Sequence, residues 1–288
     1  MVTNEPLSAE GLTDPQKWDN AAAQYNDAVG RSSRLGADRL ITLANILHPL
    51  NAPSARAIDL GAGTGSLTHQ LAEKYPSLPI LATDISPGML EKLMSIIKDP
   101  TSTKITSQVA DMAAPVGGAA TEGSFSLVFS TMAIQVLPDP AGESTLSEWA
   151  RLLQPDGIVA IGIWDFDEDC GPHALWAAAA KSVEPGYVSP PLVPPRHWTG
   201  RADLDAGLKA AGFRDVQSEV MRIGFDVGKE GFMGFFWESE NPMPLACQDS
   251  FHGDLAKVKV EMERLLNDMY DGNEIPLSAA LAVGRRPK

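Results

Sequence analysis

The sequence predicts an α/β fold in which a parallel sheet is covered on both faces by helices. Three observations carry that prediction. Short apolar runs alternate with helical stretches from Ala55 onward, a glycine-rich turn follows the first run, and acids stand at or just after the ends of three successive runs, at Asp59, Asp84 and Asp111. Apolar runs separated by helical patterns are the signature of parallel strands joined by crossover helices.

Two helices are expected ahead of the alternation. Asp14-Pro15 is a helix start, and Leu40, Leu43, Leu47 and Leu50 recur on one helical face. The first strand is Ala55 to Leu60, and Ser66 to Tyr75 reads as helix. Ile80 to Asp84 is the second strand, and Pro87 opens a helix to Lys98 as a first-turn proline. Ile105 to Val109, Phe125 to Ser130 and Ile158 to Trp164 continue the strands, with Glu143 to Leu153 as a helix and Pro155-Asp156-Gly157 as its stop and turn. Beyond Trp164 comes an acidic, proline-rich stretch, Asp165 to Gly200, holding a helix from Ala174 to Lys181. A long, partly irregular segment of this kind is more often a functional cover than a spacer. Ala202 to Ala211 returns to helix, and Phe213 to Phe225 and Leu277 to Val283 are the last two strands. Between them lies a second insertion, with Phe232, Phe235, Phe236 and Trp237 crowded together and a helical stripe of Leu255, Val258, Met262, Leu265 and Met269. The chain reads as one domain, 15–288, behind a frayed 1–14, with additions at about 15–50, 166–200 and 226–272.

Composition removes several classes of function. The 288 residues are 44% hydrophobic and 21% charged, within the range of an ordinary folded protein. A formal net charge of −14 repels phosphate backbones, so nucleic acid is not an expected partner. The two cysteines, Cys170 and Cys247, have no metal-binding spacing, and no metal site is expected. No secretory signal or bilayer-spanning run is present, which leads to an expectation of a cytoplasmic protein.

The chemistry concentrates in Ala57-Ile58-Asp59-Leu60-Gly61-Ala62-Gly63-Thr64-Gly65-Ser66. Its spacing is G-x-G-x-G, and Ser66 stands where a dinucleotide loop needs its third glycine. Asp59 would repel a pyrophosphate but suits a ligand whose amino-acid end is an ammonium. Asp84 is placed to accept both hydroxyls of a ribose, and Asp111 to accept from an exocyclic adenine amine. No Tyr-x-x-x-Lys pair supports a nicotinamide-dependent reductase, and no Asp/Asn-Pro-Pro-Tyr run follows the fourth strand, which argues against a DNA adenine methyltransferase.

The segment Asp59 to Gly65, followed by Ala82-Thr83-Asp84-Ile85-Ser86-Pro87-Gly88-Met89-Leu90, resembles the class I S-adenosylmethionine-dependent methyltransferases, particularly their ubiquinone-biosynthesis-like branch. The resemblance covers roughly residues 15–165. It implies a Rossmann-like, seven-stranded, mostly parallel sheet ending in an antiparallel hairpin, formed by the last two strands. It implies that Gly61, Ala62, Gly63 and Gly65 cradle the methionine part of S-adenosylmethionine, Asp84 the ribose, and Ile85 and Met89 the adenine face. Asp111 and Met112 would meet the adenine edge, and Ser130 would lie beside the methionine moiety. In that branch a first-helix tyrosine closes over the cofactor, a role for Tyr25 that competes with that of a core aromatic. Insertions before and inside the hairpin cap the acceptor pocket in such enzymes, which favours a small enclosed substrate over a protein surface.

Trp164, Phe166, Trp176, Trp198, Phe235, Phe236 and Trp237 suit a flat apolar acceptor. The layout is similar to fungal secondary-metabolite methyltransferases, including those acting on indole alkaloids. The expected partner is an aromatic or alkaloid small molecule, with hydroxyl oxygen favoured over nitrogen and sulfur, and the expected assembly a monomer or homodimer. Methyl transfer needs alignment and exclusion of water more than acid-base chemistry. Should the acceptor hydroxyl need to lose a proton, His173 and then His197 are the candidates, with Gln135 as an orienting hydrogen-bonder. The competing reading from another class is a fold that binds the cofactor without transferring its methyl.

Overall fold

Helices α1 (Pro15–Ala28) and α2 (Gly30–Leu47) lead into the sheet of the computed structural model, which describes residues 13–97, 104–137, 143–167, 170–190, 198–225, 227–270 and 274–286. Asp14 caps α1 by accepting from the Gln16 N–H at 2.9 Å, and Pro15 occupies the first turn. The remaining elements are β1 (Ala57–Leu60), α3 (Thr68–Lys74), β2 (Ile80–Asp84), α4 (Pro87–Ile96), β3 (Ile105–Val109), β4 (Phe125–Thr131), α5 (Glu143–Leu152), β5 (Leu153–Asp165), α6 (Gly171–Val183), α7 (Arg201–Ala210), β6 (Arg214–Arg222), α8 (Gly228–Trp237), α9 (Pro242–Asp249), α10 (Leu255–Tyr270) and β7 (Ser278–Arg285).

The seven strands form one sheet in the order β3-β2-β1-β4-β5-β7-β6. The first five are parallel, and β7 runs antiparallel between β5 and β6. Central strands are buried on both faces, as a sheet between helix layers requires. Ala57 joins one core, with Leu40, Leu71 and Leu93 of α2, α3 and α4, whereas Ile58 and Leu60 join the other, with Leu146, Trp149 and Leu208 of α5 and α7. The strand order reverses at β1 and β4, so the turn after β1 opens a crevice at the carboxyl edge. Among the described residues, no helix is long and apolar enough to cross a membrane.

The insertions build a third core. Trp176 of α6, Phe232 and Phe236 of α8, and Val258, Met262 and Leu266 of α10 pack together with Phe225 and Leu277. The buried face of α10 follows steps of four residues and differs from the stripe expected from sequence: Leu265 is half-buried and Met269 is exposed. Packing along α6 selects that row. Pro155-Asp156-Gly157 does not end the helix and begin a separate strand. These residues turn within β5, where Asp156 adopts φ +60° and the register with β4 shifts. The expected helix 174–181 begins earlier, at Gly171, because Pro172 is accommodated in the first turn.

Candidate active site

The turn after β1 is held by backbone geometry that only glycine tolerates without strain. Gly61, Gly63 and Gly65 have φ of +69°, +54° and +93°. A Cβ on Gly61 would lie 2.5 Å from the Ala133 Cβ, one on Gly65 would lie 2.6 Å from the His69 ring, and one on Gly63 would meet nothing within 4 Å. Gly61 and Gly63 therefore let the backbone reach a cavity, and Gly65 lets α3 pack beneath the turn. Ala62 donates its N–H to the Thr83 carbonyl at 2.8 Å, which ties the turn to β2.

That cavity, of about 340 Å³, is lined by Gly61, Ala62, Gly63, Thr64 and Ser66 on one side and by Asp84, Ile85, Met89, Asp111 and Met112 on the other. Its volume is within the range of about 300–1,000 Å³ typical of small-molecule sites. Asp84 ends β2 with Oδ2 accepting from the Gly63 N–H at 2.8 Å and Oδ1 from the Ser86 N–H at 2.9 Å. Burial raises its pKa, and the Ser86, Gly63 and Ile85 amides oppose that rise. Asp111 is exposed, and its Oδ1 accepts from the Ala113 N–H at 2.8 Å. Trp149, fully buried, donates from Nε1 to the Met112 carbonyl at 2.7 Å and so fixes this wall from behind.

Asp59 does not line the cavity. Its carboxylate lies wholly buried under the turn, where Oδ2 accepts from the Thr68 hydroxyl at 2.6 Å and Oδ1 meets no partner. Desolvation pushes its pKa up to about 7. The Thr64 hydroxyl, which sequence reasoning did not single out, is likewise buried without a partner and lines the cavity. Ser130 differs from its expected role: it is fully buried, its hydroxyl donates to the Leu60 carbonyl at 2.8 Å, and the cavity wall is formed instead by Thr131 and Met132. The alternation of side chains along β4 turns residue 130 inward as residue 131 faces the ligand space.

Helix α1 covers the cavity. Asp19 accepts from the Ser86 hydroxyl at 2.5 Å and the Gly88 N–H at 2.8 Å, which fastens α1 to the first turn of α4. Trp18 and Tyr25, edge to face at 6.1 Å, line both this cavity and a second one. Burial pushes the Tyr25 pKa up to about 12, so the phenol stays protonated.

The second cavity, of about 110 Å³, adjoins the first through Trp18, Tyr25, Met132 and Val136. Trp164, Phe166, Phe225, Phe235 and Phe236 make most of its aromatic wall, and Cys170, His173, Asn241 and Cys247 its polar points. No Lys, Arg, Asp or Glu lines it among the described residues. Of the other expected aromatics, Trp176 stands behind the wall, stacked 5.4 Å from Phe236, and Trp198 packs with α5 and α7. His173 Nε2 lies 2.9 Å from the Ser189 hydroxyl and 3.3 Å from the Pro190 carbonyl. A carbonyl only accepts, so the proton belongs on Nε2 and Nδ1 keeps its lone pair. Burial lowers the His173 pKa, leaving the ring neutral at pH 7. Burial raises the thiols of Cys170 and Cys247 to about 11 and about 12, so neither is a nucleophile at neutral pH. His197 lies outside the described residues.

Gln135 is spent on structure. Its Nε2 donates to the Trp164 and Trp198 carbonyls at 2.8 and 3.0 Å, and its Oε1 accepts from the Trp164 N–H at 2.8 Å. The carboxamide straps the loop after β4 to the end of β5 and to the segment before α7. It lines the acceptor side with both NH2 hydrogens engaged, which leaves one Oε1 lone pair toward a substrate.

These features match known enzymes. Residues 57–157 match the methyltransferase domain family. The chain is 30% identical over 244 residues to the malonyl-[acyl-carrier protein] O-methyltransferase of Hahella chejuensis, covering 76% of this chain and 82% of that protein. It is 31% identical over 195 residues to the trans-aconitate 2-methyltransferase of Methylobacterium nodulans, covering 68% of each. A solved structure of Haemonchus contortus phosphoethanolamine N-methyltransferase 2 with S-adenosylhomocysteine shares the fold, with a TM-score of 0.57 and 18% identity. That match covers 94% of this chain and 58% of the larger enzyme. The chain belongs to the class I S-adenosylmethionine-dependent methyltransferases, and S-adenosylmethionine is its cofactor. The relatives named here methylate other substrates than ubiquinone precursors or fungal alkaloids, so the finer branch that the motifs resembled does not follow from them.

Proposed function

We propose that this enzyme methylates a neutral, largely apolar small molecule held in the second cavity, with a hydroxyl oxygen as the favoured acceptor atom. The observation that carries this reading is the absence of any charged side chain among the described residues lining a cavity built of aromatic rings. The substrates in the names of the two bacterial relatives are carboxylates. An ionised carboxylate taken out of water with no cation beside it costs several kcal/mol. A neutral ring system carries no such penalty and gains contact with Trp164, Phe166, Phe235 and Phe236.

Several residues fit the cofactor. Gly63 leaves open space, Asp84 presents a carboxylate, Ile85, Met89 and Met112 give apolar surface, and Thr64 holds an unpartnered buried oxygen at the cavity wall. Gly61, Ala62, Gly63 and Thr64 would hold its amino-acid end, Asp84 its ribose, and Ile85, Met89, Asp111 and Met112 its base. Bound S-adenosylmethionine supplies a methyl group already activated as a sulfonium. The protein's share is alignment and exclusion of water: Trp18 and Tyr25 cover both cavities, and Met132 and Val136 form the passage between them. His173, neutral and with Nδ1 unprotonated, is the residue placed to take a hydroxyl proton as the methyl is transferred.

Labelled-methyl transfer tests the reading, with phenols and hydroxyindoles in one arm and trans-aconitate and a malonyl thioester in the other. Label on the neutral hydroxyaromatics and none on the carboxylates supports it. The reverse pattern overturns it. A second reading, binding without transfer, would be favoured by cofactor affinity with no labelled product in either arm.

A further inference from the structure

Besides His173, the second cavity has a polar group whose hydrogen-bonding direction is fixed and unspent. Asn241 is 3% exposed and lines that cavity. Its Oδ1 accepts from the Met243 N–H at 3.0 Å and caps α9. A backbone N–H only donates, so the carboxamide cannot be flipped, and the NH2 is the other end. Among the described residues no acceptor meets that NH2, and it keeps accessible surface on a residue that lines the cavity. The backbone is pinned as well: the Asn241 N–H donates to the Ser239 hydroxyl at 3.3 Å, and that hydroxyl donates to the Phe235 carbonyl at 2.5 Å. Phe235, Phe236, Met243 and Pro244 line the same cavity and offer no polar atom beyond a thioether.

We propose that Asn241 is the specificity-determining residue of the acceptor site: its carboxamide NH2 donates to a lone pair on the acceptor and selects substrates that present an oxygen or nitrogen acceptor there. This rests on the second cavity being the acceptor site. A hydroxyl substrate would use two of the cavity's polar points, with its oxygen receiving from Asn241 and its proton leaving to His173. A substrate that offers only an N–H hydrogen at that position faces a donor with a donor and leaves both unpaired, which is how a polar site rejects an isostere.

Three small rings separate the outcomes. Benzene has no polar atom, pyridine only accepts and pyrrole only donates. Their dissociation constants are measured by ligand-observed NMR on the full chain with S-adenosylhomocysteine present. The variants are Asn241→Ser and Asn241→Asp, because Ser and Asp cap a helix about as well as Asn and so keep α9 in place. Wild type should bind pyridine about 3–10-fold tighter than pyrrole, the worth of one net hydrogen bond. Asn241→Ser, whose hydroxyl reaches less far, should bring pyridine to the level of benzene, and Asn241→Asp, measured at about pH 9 to keep the carboxyl ionised, should invert the order in favour of pyrrole. Benzene binding with an unchanged pyridine-to-pyrrole ratio in both variants would overturn the role of Asn241 alone. Failure of all three rings to bind wild type would overturn the acceptor cavity itself, and the inference with it.

Discussion

Replacing Gly63 with alanine separates the cost of folding the turn from the cost of filling it. At φ +54° an alanine is in the left-handed region, which destabilises the chain by about 1–2 kcal/mol relative to glycine. No heavy atom lies within 4 Å of the new Cβ, so no packing strain is added. A change of that size lowers Tm by only a few degrees in a domain of this length. The methyl group nevertheless enters the cavity that Gly63 lines. Displacing a tightly fitting ligand by one methyl costs on the order of 1.5–3 kcal/mol, which is about a 10- to 150-fold rise in Kd. Gly65→Ala is the control. Its Cβ would collide with the His69 ring at 2.6 Å and the Leu93 side chain at 2.8 Å, and Gly65 does not line the cavity. That variant should lose more stability and less affinity. Titration of both with S-adenosylhomocysteine, alongside thermal unfolding, reads the two effects independently. A Gly63→Ala protein that binds within twofold of wild type would refute the placement of the cofactor against this turn.

Other perturbations follow from the same geometry. Asp59 ionises near 3.8 when unfolded and near 7 when folded, so the folded protein holds an extra proton between those values and loses stability as pH rises through them, by at most about 4 kcal/mol. Asp59→Asn removes this loss, and its Tm without cofactor should exceed wild type at pH 8 by a margin that narrows below pH 7 and closes near pH 4; a margin independent of pH would contradict it. Gln135→Leu leaves the Trp164 N–H without its buried partner and should cost about 2–4 kcal/mol in chemical denaturation, whereas a near-neutral result would mean that the strap holds nothing. His173→Gln should lower kcat on hydroxyl acceptors by about 10²–10⁴ with cofactor affinity unchanged. Because burial holds His173 below 6.5, the wild-type rate should stay level from pH 8 down to that value and fall only beneath it.

The sheet and the first cavity were largely legible in the sequence because they rest on local signals. Apolar runs ending in Asp59 and Asp84, and glycines spaced for a tight turn, declare themselves within a few residues. Ser130 was not legible, since its hydroxyl goes to Leu60, 70 residues away, and its direction depends on strand parity at the edge of β4. Gln135 was hidden for the same reason: its partners are backbone atoms of Trp164 and Trp198, and backbone partners leave no trace in side-chain identity. Asn241-Pro242 can be recognised as a helix start, but its place in the acceptor wall depends on how α8 and α9 fold over α6 and the sheet edge. The stripe on α10 missed by one residue at Leu265 because the packing partner, not the helix alone, chooses between three- and four-residue rows.

The most direct test of the central claim is calorimetric titration of the intact protein with S-adenosylmethionine and S-adenosylhomocysteine, in wild type and in Asp84→Asn. One-to-one binding of both ligands to wild type, weakened at least tenfold in the variant while its unfolding transition stays cooperative, is the predicted result. Absence of binding in wild type, or equal affinity in the variant, would contradict the assignment of the cavity beside Gly63 and Asp84 to the cofactor.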